Sequence, residues 1–350
     1  MEGAADVPPF FLIPGLYYVG VMRWDGEKWW SPKRRMRRIP QWVALPCLHE
    51  ADFTMNQYPV YQEPLFRPPS EAHSAIVQAT LGCSWNRCAF CSMYATKHYR
   101  VRPLEEVVRD LEVLARWMPS CRKLFLADGN AFALPFHTLK AIAIEAHRVF
   151  PQLHRISAYS LARDILGKGE QELQELRELG ISLLYIGVET GDAALLKAIC
   201  KPETPVSYRE AFSKAHGAGI STSTMIISGL GGRLFSEAHA RHSAELISEL
   251  QPKFLSTLSL FLPEGEKVYA ARFKGEYQPQ TVLELMGEMR TFIEGLRLNS
   301  TIFRSNHISN NLPLEGTLSK DQPRLLAEID AAIMQEEQSP SGRFSGDAGY

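Results

Sequence analysis

Three cysteines on one short stretch are the residues best placed to do chemistry. In Gly82-Cys83-Ser84-Trp85-Asn86-Arg87-Cys88-Ala89-Phe90-Cys91 their spacing is C-x4-C-x2-C. Three thiolates on one loop can each hold a different iron of a cubane cluster. The fourth iron then lacks a protein ligand, and an open position marks a catalytic metal rather than a structural one. Two other readings compete. Zinc would want a fourth ligand, and His98 is near, although the spacing is not that of a usual zinc knuckle. The same run also serves plant-type [2Fe–2S] proteins, with Cys121 as a fourth ligand.

The elements that must position these thiols come from the apolar rhythm. Ala75–Thr80 reads as a strand leading directly into the cysteines. Further strands are expected at Leu124–Ala127, Arg155–Tyr159, Leu183–Val188, Ser221–Ile227, Phe254–Leu260 and Thr301–Arg304. Helices are expected between them, at 103–118, 136–150, 170–179, a short one capped by Asp192, then 207–218, 236–250 and 281–298, with a last helix at 320–335. The apolar positions of the 103–118 segment (Leu104, Val107, Val108, Leu111, Leu114) fall at helical spacing. Alternation of this kind makes βαβ units on a parallel sheet. The fold class is therefore α/β: a partial, open (βα)6-type parallel TIM-like barrel with N- and C-terminal extensions. In such barrels the chemistry sits at the carboxyl ends of the strands. Cys121 precedes its strand and so belongs to the opposite end, which argues against the [2Fe–2S] reading.

Four segments are expected: an irregular extension (1–54), a core with its lead-in (55–305), a terminal loop and helix (306–335), and a disordered tail (336–350). The first segment holds Trp24, Trp29, Trp30 and Trp42 and the basic run Lys33–Arg38. It reads as a poorly ordered extension, with Met55 as an ancestral start, or alternatively as a basic-aromatic arm for RNA or a partner. Net charge is −1 over 350 residues, which gives no global field for a polyanion. Six cysteines are too few for a secreted disulfide scaffold. No stretch has the roughly 20 apolar residues of a membrane span. The protein is expected to be cytoplasmic, without a membrane partner.

Cys88-Ala89-Phe90-Cys91 resembles the Cys-x-aromatic-Cys end of the radical-SAM signature, with four residues rather than three before it. Later segments are similar in order and spacing, so that the resemblance covers about residues 65–333. It implies a [4Fe–4S] cluster on Cys83, Cys88 and Cys91, with S-adenosylmethionine (SAM) on the open iron. Asp128-Gly129-Asn130 stands where the superfamily receives the methionine amino group; the plain reading is a strand-end turn. Ser157 and Tyr159 would face the ligand. Gly187-Val188-Glu189-Thr190-Gly191 resembles the Gly-x-Glu-Ser/Thr-Gly segment, which gives Glu189 the SAM ribose or ammonium; the plain reading is a solvated cap. Gly229, in Ser228–Gly232, and Phe90 would lie near adenine. Asn306, His307 and Asn310, dense in hydrogen-bonding groups, are candidate catalytic residues at the substrate end; the plain reading is a polar loop.

The implied activity is reductive cleavage of SAM to a 5′-deoxyadenosyl radical that abstracts hydrogen from a small-molecule or tRNA substrate. A ferredoxin- or flavodoxin-type protein would supply the electron. The branch most similar contains Elongator-type, tRNA-methylthiotransferase and coproporphyrinogen-oxidase-like proteins. The alternatives are a non-catalytic protein that handles SAM, a cluster or haem, and a [2Fe–2S] electron carrier.

Overall fold

The computed structural model describes residues 58–339. The expected N-terminal extension and most of the expected tail lie outside them. The strands are β1 (Ala75–Gln78), β2 (Thr80–Leu81), β3 (Arg100–Val101), β4 (Lys123–Ala127), β5 (Arg155–Ser160), β6 (Ile181–Glu189), β7 (Ser221–Ser228), β8 (Phe254–Ser259), β9 (Thr301–Arg304) and β10 (Glu315–Leu318). The helices are α1 (Leu104–Trp117), α2 (Phe136–Val149), α3 (Ala162–Leu166), α4 (Glu170–Glu178), α5 (Ala193–Ala198), α6 (Pro205–Gly217), α7 (Gly232–Leu250), α8 (Glu266–Arg272), α9 (Val282–Gly295) and α10 (Gln322–Gln338).

One 8-stranded sheet runs β1-β4-β5-β6-β7-β8-β9-β10, and β2 pairs with β3 apart from it. Within this sheet every pairing from β1 to β9 is parallel, and β10 returns antiparallel to β9, while β2 and β3 pair antiparallel. The sheet does not close: β1 and β10 are its two ends. This is the open, TIM-like α/β architecture expected, extended by the antiparallel β10. That strand, the short β3 and the helices α3 and α8 carry no periodic signal in the sequence. The last helix also continues to Gln338, past the expected boundary at 335.

Alternation along the strands sorts the residues. Val77, Leu124, Leu126, Ile156, Ala158, Leu184 and Ile186 enter the large apolar core beneath the helices. The opposite face carries Phe125, Ser157, Tyr159 and Tyr185. Phe125 meets Tyr159 edge-on at 5.1 Å and Tyr185 at 6.0 Å. Residues two apart on a strand share a face, so one register fixes both layers.

The outer edge of β1 is covered. The Tyr61 hydroxyl donates to Ile76 O at 2.6 Å, and Arg102 Nη1 donates to Gln78 O at 2.9 Å. Gln62 exchanges two hydrogen bonds with the Gln78 side chain, at 2.8 and 2.9 Å. Arg102 Nη1 also meets Asp110 Oδ2 at 2.7 Å, and Asp110 Oδ1 accepts from Val60 N at 2.9 Å. At the amino end of the strands, the buried Glu71 accepts from Ser157, Tyr185, Arg155 and Ser74.

Candidate active site

The cysteine loop leaves β2 directly after β1, at the carboxyl end of the sheet, and returns through β3. Two residues following β4 hold its start. Asp128 Oδ2 accepts from Gly82 N at 3.1 Å, and Asn130 Oδ1 accepts from Ser84 N at 2.9 Å. Gly129 lies between them, where a Cβ would meet Cys83 Cβ at 2.6 Å. Only glycine lets the backbone after β4 approach the first cysteine this closely. The end of α5 holds the middle of the loop: Trp85 Nε1 donates to Cys200 O at 2.8 Å, and Ala89 N to Ile199 O at 2.9 Å.

Cys83, Cys88 and Cys91 are free thiols of intermediate exposure. Burial pushes the Cys88 thiol up to about 12, and Lys201, Glu189, Cys91 and Cys83 all act on it electrostatically. Burial raises Cys91 as well, with Cys83, Lys201 and Glu189 among its neighbours. The three sulfurs, the carboxylate and the ammonium thus share one environment. Among the described residues, no three His, Cys, Asp or Glu side chains form a group for a single metal ion. A cubane cluster binds each thiolate through a different iron, so its ligands need not converge on one point.

Glu189 ends β6 at a register shift, with a left-handed φ of 66°. Non-glycine residues seldom adopt that conformation, and such strain gathers at functional sites. Glu189 Oε1 receives Lys201 Nζ at 3.0 Å, while Oε2 is buried with no partner. Its side chain folds back over Gly187, where a Cβ would sit 2.0 Å from Oε1. Burial works against the Lys201 charge, but Glu189 raises its pKa well above the ordinary value. Asp128 is likewise fully buried. Lys97 Nζ reaches its Oδ2 at 2.7 Å, leaving Oδ1 unpartnered. Burial raises the Asp128 carboxyl, and Lys97 opposes the shift. The Tyr94 hydroxyl faces this carboxylate without closing a good hydrogen bond to it.

A buried polar atom without a partner is uncommon in a folded protein and calls for one. Two unfilled carboxylate oxygens beside three thiols fit a cluster together with a ligand rich in donors.

Residues 77–247 match the family model of the Radical SAM superfamily. These residues form a radical SAM domain. Members use a [4Fe–4S] cluster and SAM and need a reductant. A search of curated proteins finds no match. Similar solved structures include coproporphyrinogen III oxidase from Escherichia coli, at 17% identity and TM-score 0.48, covering 63% of this chain and 52% of that one. Methylornithine synthase aligns at 15% identity and TM-score 0.44, covering 75% and 81%. The radical S-adenosylmethionine methyltransferase from Kitasatospora setae aligns at 18% and 0.44, covering 53% and 36%. The chain thus spans about a third of that methyltransferase and about half of the oxidase.

The chain places its other expected site residues as follows. Asp128 and Asn130 grip the cysteine loop, and Asn130 also donates to Asp164 at 2.9 Å. Ser157 donates to Glu71 at 3.0 Å, nearer the amino end. Tyr159 sits one register step closer to the cysteines. Burial raises its pKa, with Asp128 among the charges acting on it. Phe90 packs on the apolar group of Leu195, Ile199, Ile227, Leu230, Tyr269 and Phe273. Gly229 N donates to the buried Glu288 of α9 at 2.8 Å. Asn310 is committed to the end of β8, donating to Thr257 O at 2.8 Å and accepting from Ser259 N at 2.6 Å. Asn306 and His307 are exposed, with His307 Nδ1 2.8 Å from Ser309 Oγ. Cys121 is buried before β4, its thiol on Lys123 O at 3.0 Å. It stands at the amino end, away from the other three.

Sequence reasoning missed Lys97, Lys201 and Tyr94. Lys201 lies in the stretch after Glu189, and only the fold-back through α5 brings the two together. Nothing in the local pattern marks Lys97 or Tyr94.

Proposed function

We propose that Cys83, Cys88 and Cys91 each ligate one iron of a [4Fe–4S] cluster and that SAM binds between this loop and the end of β6. The observation that carries this is the meeting of the three thiols with Glu189 and Lys201 at the carboxyl end of the sheet. Held by Cys83, Cys88 and Cys91, the cluster would supply the electron for reductive cleavage of bound SAM, and so the radical chemistry of the site. The free Glu189 Oε2 accepts a hydrogen bond from a SAM hydroxyl or ammonium. Lys201 fixes the other oxygen and so sets the direction of the free one. Asp128 and Asn130 act one step back, holding the loop so that the sulfurs keep their spacing. Phe125, Tyr159 and Tyr185 line the inner face and exclude water from the reacting carbon.

The test is SAM turnover by the iron-loaded, dithionite-reduced protein. The expected product is 5′-deoxyadenosine with about four irons per chain. A full cluster that yields no 5′-deoxyadenosine would instead support a non-catalytic SAM- or cluster-handling protein. Two irons per chain and no response to SAM would support an electron carrier.

A further inference from the structure

Over the cysteine loop two exposed guanidiniums flank one indole. Arg87 Cζ stands 5.4 Å and Arg163 Cζ 5.2 Å from the Trp85 ring centroid. The ring cannot swing away, because its Nε1 is held by Cys200 O. Arg87 is the residue before Cys88, and Arg163 lies in the first turn of α3. Neither arginine has an ion-pair partner among the described residues. The two carboxylates near Arg163 are already engaged: Asp164 with Asn130 and Leu161 N, Glu203 with Ser207 and the Arg163 backbone. Some other surface arginines are neutralised, although the exposed Arg67, Arg100, Arg122, Arg177 and Arg297 also hold no carboxylate among the described residues. Arg148, Arg209, Arg233, Arg241 and Arg290 each hold a carboxylate. With a net charge of −1, the free pair does not simply reflect a basic chain. A guanidinium stacked on an aromatic face keeps its N–H edge available for carboxylates.

We propose that Arg87 and Arg163, spread on Trp85, form the docking point for an acidic one-electron carrier protein. This rests on the reading that the loop holds the cluster. No bond is made or broken at this step: the carrier loses one electron and the cluster gains it. Complementary charge at such a surface raises the association rate and is weakened by salt.

The test pairs Arg87→Glu with Arg163→Glu in the iron-loaded full chain. An acidic flavodoxin serves as the carrier and dithionite as a reductant that needs no docking. With reduced flavodoxin, 5′-deoxyadenosine formation is expected to fall at least about tenfold. With dithionite it should stay within about twofold, at unchanged iron content. Calorimetry with oxidised flavodoxin reads docking independently of turnover: wild-type affinity should fall as salt rises, and the double variant should bind about tenfold more weakly. Lys320→Glu, beside the amino end of the sheet, should behave as wild type. Equal flavodoxin-driven rates in wild type and double variant would overturn the proposal. So would a double variant that keeps flavodoxin binding and loses binding to tRNA, which would make this face an RNA surface. Failure of dithionite in the wild type would count against the cluster reading, while the calorimetric result would still decide the docking.

Discussion

The two ends of the central sheet treat buried carboxylates in opposite ways. At the amino end, Glu71 is enclosed with both oxygens used: Oε1 by Ser157, Tyr185 and Arg155, Oε2 by Ser74. At the carboxyl end, Glu189 and Asp128 each keep one buried oxygen empty. Of the described non-glycine residues with left-handed backbones, Asn86, Glu189 and Cys200 lie at that end, while Gln251 caps α7 at the other. A buried carboxylate whose oxygens are both used stabilises a fold; one with an unfilled oxygen is tolerated where a ligand completes it. The same sheet thus separates an end that holds the molecule together from an end poised to bind.

Alanine at Cys83, Cys88 or Cys91 should give the largest effect. Each variant is expected to lose its iron and all detectable 5′-deoxyadenosine formation, with urea stability within about 1 kcal/mol of wild type. Full iron loading in any of the three would break the contrast between the ends. Next comes Glu189→Gln combined with Lys201→Met, which removes both charges and leaves neither ion buried alone. SAM cleavage should fall about 10–100-fold while stability changes by about 1 kcal/mol or less. Normal cleavage rates would remove Glu189 from the site.

Glu71→Ala should do the reverse. It removes the carboxylate that Arg155, Ser157 and Tyr185 share, and should cost on the order of 3 kcal/mol in urea unfolding. The product formed per loaded cluster in the folded protein should stay within about twofold. A large loss of turnover at full stability would mean that both ends serve the reaction.

Acid should expose a smaller difference. His239 of α7 is buried, its Nδ1 2.8 Å from Thr190 Oγ1, with Glu288 at 3.7 Å and Asp192 nearby. Burial lowers its pKa below the ordinary 6.5, despite the opposing pull of Glu288 and Asp192. The unfolded chain therefore takes up this proton first. The stability gained by keeping the ring neutral is full above about 6.5 and is lost as pH falls through the folded value. Urea midpoints measured from about pH 7.5 to about pH 5 should decline, and His239→Gln should flatten the decline; an unchanged slope would assign it elsewhere. The smallest effect is expected from Cys121→Ala, which should keep its iron and lose about 1 kcal/mol or less.

The sheet was legible because apolar strands and helical stripes recur along the chain, and the cysteine loop because its residue types are rare at that spacing. Three kinds of feature were not legible. β10 and α8 are short and form through tertiary contacts rather than pattern. Lys201 and Lys97 acquire meaning only when the fold sets them against Glu189 and Asp128. Asn130 and Asn310 have the composition of ligand-binding residues, yet the structure spends their amides on the cysteine loop and on the end of β8. A polar side chain at a strand end can face the ligand or brace the residue that does, and sequence does not distinguish the two.

The covering along β1 bears on how the protein behaves in solution. An open sheet offers its end strand as a template for pairing with another chain. Here the outward carbonyls of Ile76 and Gln78 are occupied by the Tyr61 hydroxyl and the Arg102 guanidinium. Residues 60–62 therefore act as a guard against edge-to-edge self-association. Removing them would take partners from the buried Asp110 and Gln78 side chains and turn a covered edge into an adhesive one.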